Sequence, residues 1–116
     1  MADIEKVDPI EIECDGKRFV LDFDRNSVDW AERHGFSVDD LANGRAMSGL
    51  SDLFYYSFRK NHPNVTKQQT DRILFDEMGG LPDGVAERLG LLYAQPYNAL
   101  IQTEESAKNS KWTVKM

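Results

Sequence analysis

The 116-residue chain is long enough for one domain with a real hydrophobic core, and it is short for an elaborate active site. Its formal net charge of -6 opposes binding to nucleic-acid phosphates, because its basic residues are sparse and form no concentrated patch. Cys14 is the only cysteine, which excludes an internal disulfide and fits a reducing cytoplasm. Residues 1–9 contain no apolar run of the kind found in secretory signals, and no window has the length of a membrane span. We therefore expect a cytosolic globular protein with neither nucleic-acid nor membrane partners.

Residues 10–23, IEIECDGKRFVLDF, carry the clearest local pattern. Apolar and polar residues alternate in two runs, as in half-buried strands, and the pair Asp15-Gly16 between them suits a two-residue type I′ turn. Such a turn fixes the pairing of the two strands and puts their apolar residues on one face. The predicted pairs are Cys14 with Lys17, Glu13 with Arg18, Ile12 with Phe19 and Ile10 with Leu21. A hairpin alone is marginal, so helices must cover its apolar face.

About five helices are predicted after the hairpin. Asp24 or Asn26 can cap the first, which ends near Gly35, and Thr66 with Gln69 forms a capping box for another. The predicted helices span 24–34, 37–43, 46–61, 66–78 and 83 to about 105, and the last should kink or split at Pro96. The predicted fold is thus α+β, with an N-terminal β-hairpin packed on a mostly α-helical single domain over residues 1–105. Residues 106–116 are predicted to form a flexible or partner-docking tail.

The middle helix contains the aromatic stretch LFYYSFRKNHPNVT, residues 53–66. Helical geometry turns Leu53, Phe54 and Phe58 inward and places Tyr55 at the rim of the apolar arc, with Tyr56 well away from it. Tyr56 and Arg59 lie three residues apart and share a surface, a combination that is enriched at protein interfaces. Tyr55, Tyr56 and Arg59 are therefore candidate protein-binding residues, although tyrosines at a helix rim are more often partly buried, with the hydroxyl reaching water, than binding hot spots.

The C-terminal residues 106–116, SAKNSKWTVKM, have no helical period, and they hold Trp112, Val114 and Met116 in alternation together with three lysines. Trp112 and Val114 are the further candidate protein-binding residues, because an exposed tryptophan costs solubility. Trp112 either docks on the apolar face of the hairpin or contacts a partner.

Nothing in the sequence indicates a catalytic, cofactor or metal site. His34 and His62 have no partner at metal-ligand spacing, and Cys14 is expected to be a packed thiol beside the hairpin turn. The stretch DFDRNS resembles the start of a calcium loop, but Ser27 and Arg33 occupy the positions where such a loop needs glycine and glutamate.

The order of these parts resembles the small tail-assembly chaperone family of long-tailed (siphovirus-type) bacteriophages and prophages. The resemblance covers residues 10–103 and rests on LDFDRNSVDWAERHGFSVDDL, LFYYSFRKNHPNVT, DEMGGL and LGLLYAQPYNAL in that order. It implies a non-enzymatic protein of the bacterial host cytoplasm that binds the tape-measure protein and tail-tube subunits during tail assembly and is absent from the mature virion. It also implies that this chain is the short form of a pair produced by ribosomal frameshifting.

Other functions remain open at this stage. A small acidic regulator could sequester a different host or phage protein, and self-association is possible. An accessory subunit or enzyme would need a reactive Cys14 or histidine. DNA binding is opposed by the acidic charge balance.

Overall fold

The computed structural model describes residues 7–37 and 46–100, with the side chains of residues 46, 47 and 97–100 left out. It confirms the α+β class, with an antiparallel two-stranded hairpin at the N-terminus followed by helices. The elements are β1 (Ile10–Cys14), β2 (Lys17–Leu21), α1 (Arg25–Arg33), α2 (Ala46–Tyr56), α3 (Lys67–Asp71) with a π-helical continuation (Arg72–Glu77), and α4 (Asp83–Leu100). Most of the short helix predicted to begin at Ser37, and the tail of residues 106–116, lie outside the described residues.

The hairpin has the register that the sequence predicts. Cys14 pairs with Lys17, Ile12 with Phe19 and Ile10 with Leu21. Asp15 and Gly16 have φ angles of 54° and 75°, the left-handed values that a type I′ turn requires at both central positions. The local turn therefore fixes which strand residues face the helices.

Helix α1 begins and ends where its capping residues predict. The Asp24 carboxylate accepts a hydrogen bond from the Ser27 amide at 2.7 Å, and the Ser27 hydroxyl accepts one from the Asp24 amide at 2.8 Å. At the other end Gly35 takes a φ of 94°, which glycine adopts without strain. The helix buries Val28 and Ala31 against the core.

Helix α2 ends at Tyr56, so the predicted extent to Asn61 is wrong. After Tyr56 the backbone hydrogen bonds change to the spacing of a tighter turn. The amides of Phe58 and Arg59 donate to the carbonyls three residues back, those of Tyr55 and Tyr56. The carbonyl of Ser57 accepts the amide of Asp22 at 3.0 Å instead of an amide of its own helix. A contact with the hairpin therefore ends this helix, and helical periodicity alone could not show it.

Helix α3 starts with the predicted capping box between Thr66 and Gln69. The helix continues to Glu77, close to the predicted end at Met78, but residues 72–77 are π-helical. The amide of Met78 donates to the carbonyl of Ile73, five residues back, at 2.8 Å. Ile73 and Leu74 are buried in the core. The apolar pattern is compatible with either helix type and could not distinguish them.

Helix α4 is continuous through Pro96. Of the two predicted outcomes, a split at Pro96 is therefore wrong, and a kink stays a prediction. Proline removes only one amide donor, and the preceding turns are anchored by the buried side chains of Leu89, Leu92 and Tyr93. None of the described helices combines the length and hydrophobicity needed to cross a membrane.

One hydrophobic cluster joins the hairpin to the described helices. Its largest fully buried apolar side chains come from β2 (Leu21), from α2 and the turn after it (Leu53, Phe54 and Phe58) and from α4 (Leu89 and Leu92). The Phe54 and Phe58 rings meet edge to face with centroids 5.1 Å apart, as preferred for aromatic pairs. The three inward positions predicted in the aromatic stretch are therefore confirmed as core.

Candidate protein-binding surface

Two of the predicted binding residues meet around a tryptophan of α1. The Trp30 cluster consists of Trp30, His34, Tyr55 and Arg59. The His34 ring stacks on Trp30 with centroids 3.8 Å apart, and the Arg59 guanidinium carbon lies 4.2 Å from the centroid of the Trp30 ring system. Tyr55 is more distant, with centroids 6.4 Å apart. Trp30, Tyr55 and Arg59 are partly buried and His34 is exposed, so the cluster lies at the surface.

Tyr56 lies in the core, which corrects the expectation that it points well away from the apolar arc. Its side chain is only 8% exposed, and its ring contacts Trp30 and Phe36 at centroid distances of 5.6 and 5.5 Å. Its hydroxyl donates to the carbonyl of His34 at 3.5 Å. Burial raises the pKa of Tyr56, and the charge of Asp52 adds to the effect. Tyr56 is buried because its neighbours come from α1 and the segment after it, and the periodicity of α2 alone could not predict these contacts.

A groove of about 350 Å³ borders the Trp30 cluster between the start of α1 and the turn after α2. Its lining residues are Asp24, Asn26, Ser27, Trp30, Arg59, Lys60 and Pro63. Arg59 donates from Nη1 to the Pro63 carbonyl at 3.3 Å, and the Lys60 ammonium pairs with Asp22. The groove thus combines an aromatic wall with two cations. Such a surface can hold an apolar side chain beside an acceptor group of a partner.

Trp112 and Val114, the other predicted binding residues, lie outside the described residues. Among the described residues, two large apolar side chains that the sequence analysis did not single out are exposed, Phe75 at 51% and Leu91 at 52%. Each lies beside buried neighbours on its helix, Ile73 and Leu74 for Phe75 and Leu89 and Leu92 for Leu91. Placing each residue on a helical wheel relative to these neighbours could have identified the outward positions.

Cys14 lies half-buried at the end of β1, near two carboxylates. The Cys14 sulfur and one carboxylate oxygen each of Asp15 and Glu77, the atoms that could bind a metal ion, lie within 4.8 Å of one another. Arg72 holds both carboxylates, Asp15 at 3.7 Å and Glu77 at 3.2 Å. Partial burial raises the pKa of the Cys14 thiol, and the two negative charges raise it further against the opposing effect of Arg72. These contacts favour a protonated thiol, which is a poor nucleophile.

The two histidines make specific contacts within the protein. Nε2 of His62 accepts the amide hydrogen of Val20 at 2.9 Å, and its ring meets Phe19 edge to face at 5.2 Å. His62 thereby ties the segment after α2 to the edge of β2. His34 extends the stack on Trp30 and its Nδ1 lies 2.7 Å from the Trp30 carbonyl.

The residues of the calcium-like stretch also have structural partners. Asp24 caps α1, and Asp22 is held by Lys60. Both carboxylates are thus engaged with groups of the chain itself.

Comparison with known proteins gives a family and no closer relative. The sequence matches the domain of unknown function DUF5055 over residues 1–116. No curated protein and no solved structure matches it. Because the match extends over the whole sequence, the chain belongs to the DUF5055 family.

Proposed function

We propose that this protein is a non-enzymatic tail-assembly chaperone that binds the tape-measure protein and tail-tube subunits while a phage tail is built. It acts in the cytoplasm of the bacterial host and is absent from the mature virion. The resemblance over residues 10–103 supplies the partners, and the surface of the folded chain supplies a means of binding them. The two lines of support are independent, since the first rests on the order of sequence segments and the second on contacts.

The observation that carries the proposal is the Trp30 cluster. Trp, Tyr and Arg are the side chains that most often dominate the energy of protein interfaces. Here Trp30 is supported by buried rings, since Tyr56 packs against Trp30 and Phe36 packs against Tyr56. A preorganised aromatic surface loses less side-chain entropy on binding than a flexible one. The cluster therefore supports binding to another protein.

The size of this surface favours weak binding repeated along a long partner. The seven residues that line the groove are far fewer than the roughly 20–30 residues that each partner contributes to the interface of a stable complex. A tape-measure protein is long and helical and offers many similar apolar stripes. Several copies of a weakly binding protein can therefore occupy these stripes together and shield them from solvent. The net charge of -6 keeps such a complex soluble through repulsion between copies.

Co-expression with a tape-measure protein from the genome that encodes this chain tests the proposal. We expect the tagged chain to raise the soluble fraction of the tape-measure protein and to retain it on the affinity resin. The double variant Tyr55→Ala/Arg59→Ala should reduce the retained amount, because it removes two members of the Trp30 cluster while leaving the buried Tyr56 in place. Circular dichroism and thermal melting would establish that the variant is folded.

Arg88→Ala is the matched control, because Arg88 is an exposed arginine of α4 outside the Trp30 cluster. It should retain the tape-measure protein as well as the unsubstituted chain does. A tape-measure protein that stays insoluble and uncaptured with every variant would refute the proposal. Capture of one different host or phage protein through the same two residues would favour the small acidic regulator instead.

A further inference from the structure

The two edges of the hairpin differ in how their backbone groups are satisfied. In β2 the outward-pointing groups belong to the residues that alternate with those bonded to β1. The outward amide of Val20 donates to Nε2 of His62 at 2.9 Å, and the Val20 carbonyl accepts from Asn61 at 3.3 Å. The next outward amide, that of Asp22, donates to the Ser57 carbonyl at 3.0 Å. The segment after α2 therefore covers the β2 edge at its C-terminal half.

The β1 edge is open among the residues that the structure describes. Glu11 and Glu13 lie opposite Val20 and Arg18, at the positions where the amides and carbonyls of a hairpin strand point away from its partner. Both glutamates are exposed, and no described residue bonds to their outward backbone groups. An edge with unpaired amides and carbonyls is a template on which a further strand can form.

The side chains along this edge define the kind of strand that fits it. Successive residues of β1 alternate between two faces, so Glu11 and Glu13 share one face and Ile12 and Cys14 the other. Neither glutamate forms an ion pair with a described residue, although Arg18 lies across from Glu13. Ile12 and Cys14 are only half-buried, so an added strand can cover more of their apolar surface.

A second copy of this chain is a poor occupant of the edge. Antiparallel pairing of two β1 edges brings Glu11 and Glu13 of one copy against the same glutamates of the other. Like charges that lie directly opposite each other destabilise a sheet. The charge of β1 therefore favours an occupant that carries cations on the face of the glutamates.

We propose that the β1 edge binds an extended segment of another protein in which Lys or Arg alternates with apolar residues. The backbone of this segment adds a third strand to the hairpin. Its cations lie opposite Glu11 and Glu13, and its apolar side chains cover Ile12 and Cys14. In this mode of binding the backbone hydrogen bonds supply affinity and the alternating side chains supply specificity. The added strand also stabilises the hairpin, because two strands alone are marginal.

The β1 edge is separate from the groove beside the Trp30 cluster. Lys60 and Pro63 line that groove, and they flank Asn61 and His62, which cover the opposite edge of the hairpin. The inference therefore does not depend on the proposed function. Failure to bind a tape-measure protein through the Trp30 cluster leaves binding at the β1 edge unaffected.

NMR titration of the full-length protein with the synthetic peptide acetyl-KVKVKVK-amide tests the inference, in about 0.15 M salt to screen distant charges. Amide shifts should change along residues 10–14, and the amides of Glu11 and Glu13 should exchange with solvent at least about tenfold more slowly in the bound protein. The peptide acetyl-KKKKVVV-amide has the same composition and charge without the alternation. It should bind at least about tenfold more weakly. Equal affinity for the two peptides would overturn the inference, because charge attraction alone would then explain the binding.

Charge-exchanged variants test the role of the two glutamates. Glu11→Lys/Glu13→Lys should lose binding of the lysine peptide acetyl-KVKVKVK-amide and gain binding of acetyl-EVEVEVE-amide. Glu32→Lys/Glu87→Lys is the matched control, because it changes two exposed glutamates of the helices and alters the net charge by the same amount. It should bind the lysine peptide as the unsubstituted chain does. Lysine-peptide binding that survives in Glu11→Lys/Glu13→Lys would overturn the inference.

Hydrogen exchange without peptide identifies any other occupant of the edge. The amides of Glu11 and Glu13 should exchange rapidly in the free protein, at rates that do not depend on protein concentration. Strong protection that persists on dilution would overturn the inference, since another part of the same chain would then fill the edge. Protection that disappears on dilution would also overturn it, because that result assigns the edge to a second copy.

Discussion

Ionisation of Tyr93 should control the stability of the protein at alkaline pH. The Tyr93 ring is 3% exposed and packs edge to face against Phe23 and Phe36, with centroids 5.2 and 5.1 Å away. Burial, with a smaller effect from the charge of Glu32, raises the pKa of Tyr93 from 10.0 to about 12. The phenol thus ionises more readily in the unfolded chain than in the folded one.

The sign of the effect follows from this difference. Below pH 10 the phenol is neutral in both states, so its stabilising contribution is fully present. As the pH rises from 10 to 12, the unfolded chain loses the Tyr93 proton first and folding becomes less favourable. The loss amounts to about 1.4 kcal/mol at pH 11 and approaches about 2.7 kcal/mol above pH 12, since one pKa unit corresponds to 1.36 kcal/mol.

Urea unfolding of the wild type and Tyr93→Phe at pH 9 and pH 11 measures this contribution. The wild type should lose about 1.4 kcal/mol more than Tyr93→Phe between the two pH values, because phenylalanine cannot ionise. Any constant cost of the substitution cancels, as does the titration of lysines. Tyr55→Phe, at a partly exposed position, controls for removing a phenol hydroxyl. Equal losses in wild type and Tyr93→Phe would refute the assignment of the buried phenol.

Three further predictions concern the core and its polar ties. Phe54→Ala should destabilise the fold by about 3–5 kcal/mol in urea unfolding, whereas Phe75→Ala, at a half-exposed position, should change it little. His62→Ala should cost about 1–3 kcal/mol because it leaves the Val20 amide without its acceptor, and a loss below about 0.5 kcal/mol would contradict that. Partial burial alone would raise the pKa of Asp71, but side-chain hydrogen bonds to its carboxylate lower this pKa. The ionised carboxylate therefore stabilises the folded protein, and this contribution should be lost as the pH falls below about 4. Acid unfolding of Asp71→Asn should accordingly show a shallower dependence on pH.

Local sequence chemistry determined the hairpin and the helix starts. Asp15-Gly16 fixed the turn, and the turn with the alternating pattern fixed the strand register. Asp24 and Thr66 each began a helix through a side chain that accepts an amide three residues ahead. These features depend on residues that are neighbours in sequence, so the pattern alone was sufficient to predict them. The same holds for the inward positions Phe54 and Phe58, which one helical period defines.

Contacts between distant segments decided what the sequence could not. Helix α2 ended early because the Ser57 carbonyl bonds to the hairpin at Asp22, 35 positions away (57 minus 22). Tyr56 became core because Trp30 and Phe36 cover a side of α2 that periodicity left outside. The Trp30 cluster exists only because α1 places its indole beside α2 and the turn after it. Helical periodicity assigns a residue to one face of its own helix, and only tertiary packing determines which faces become covered.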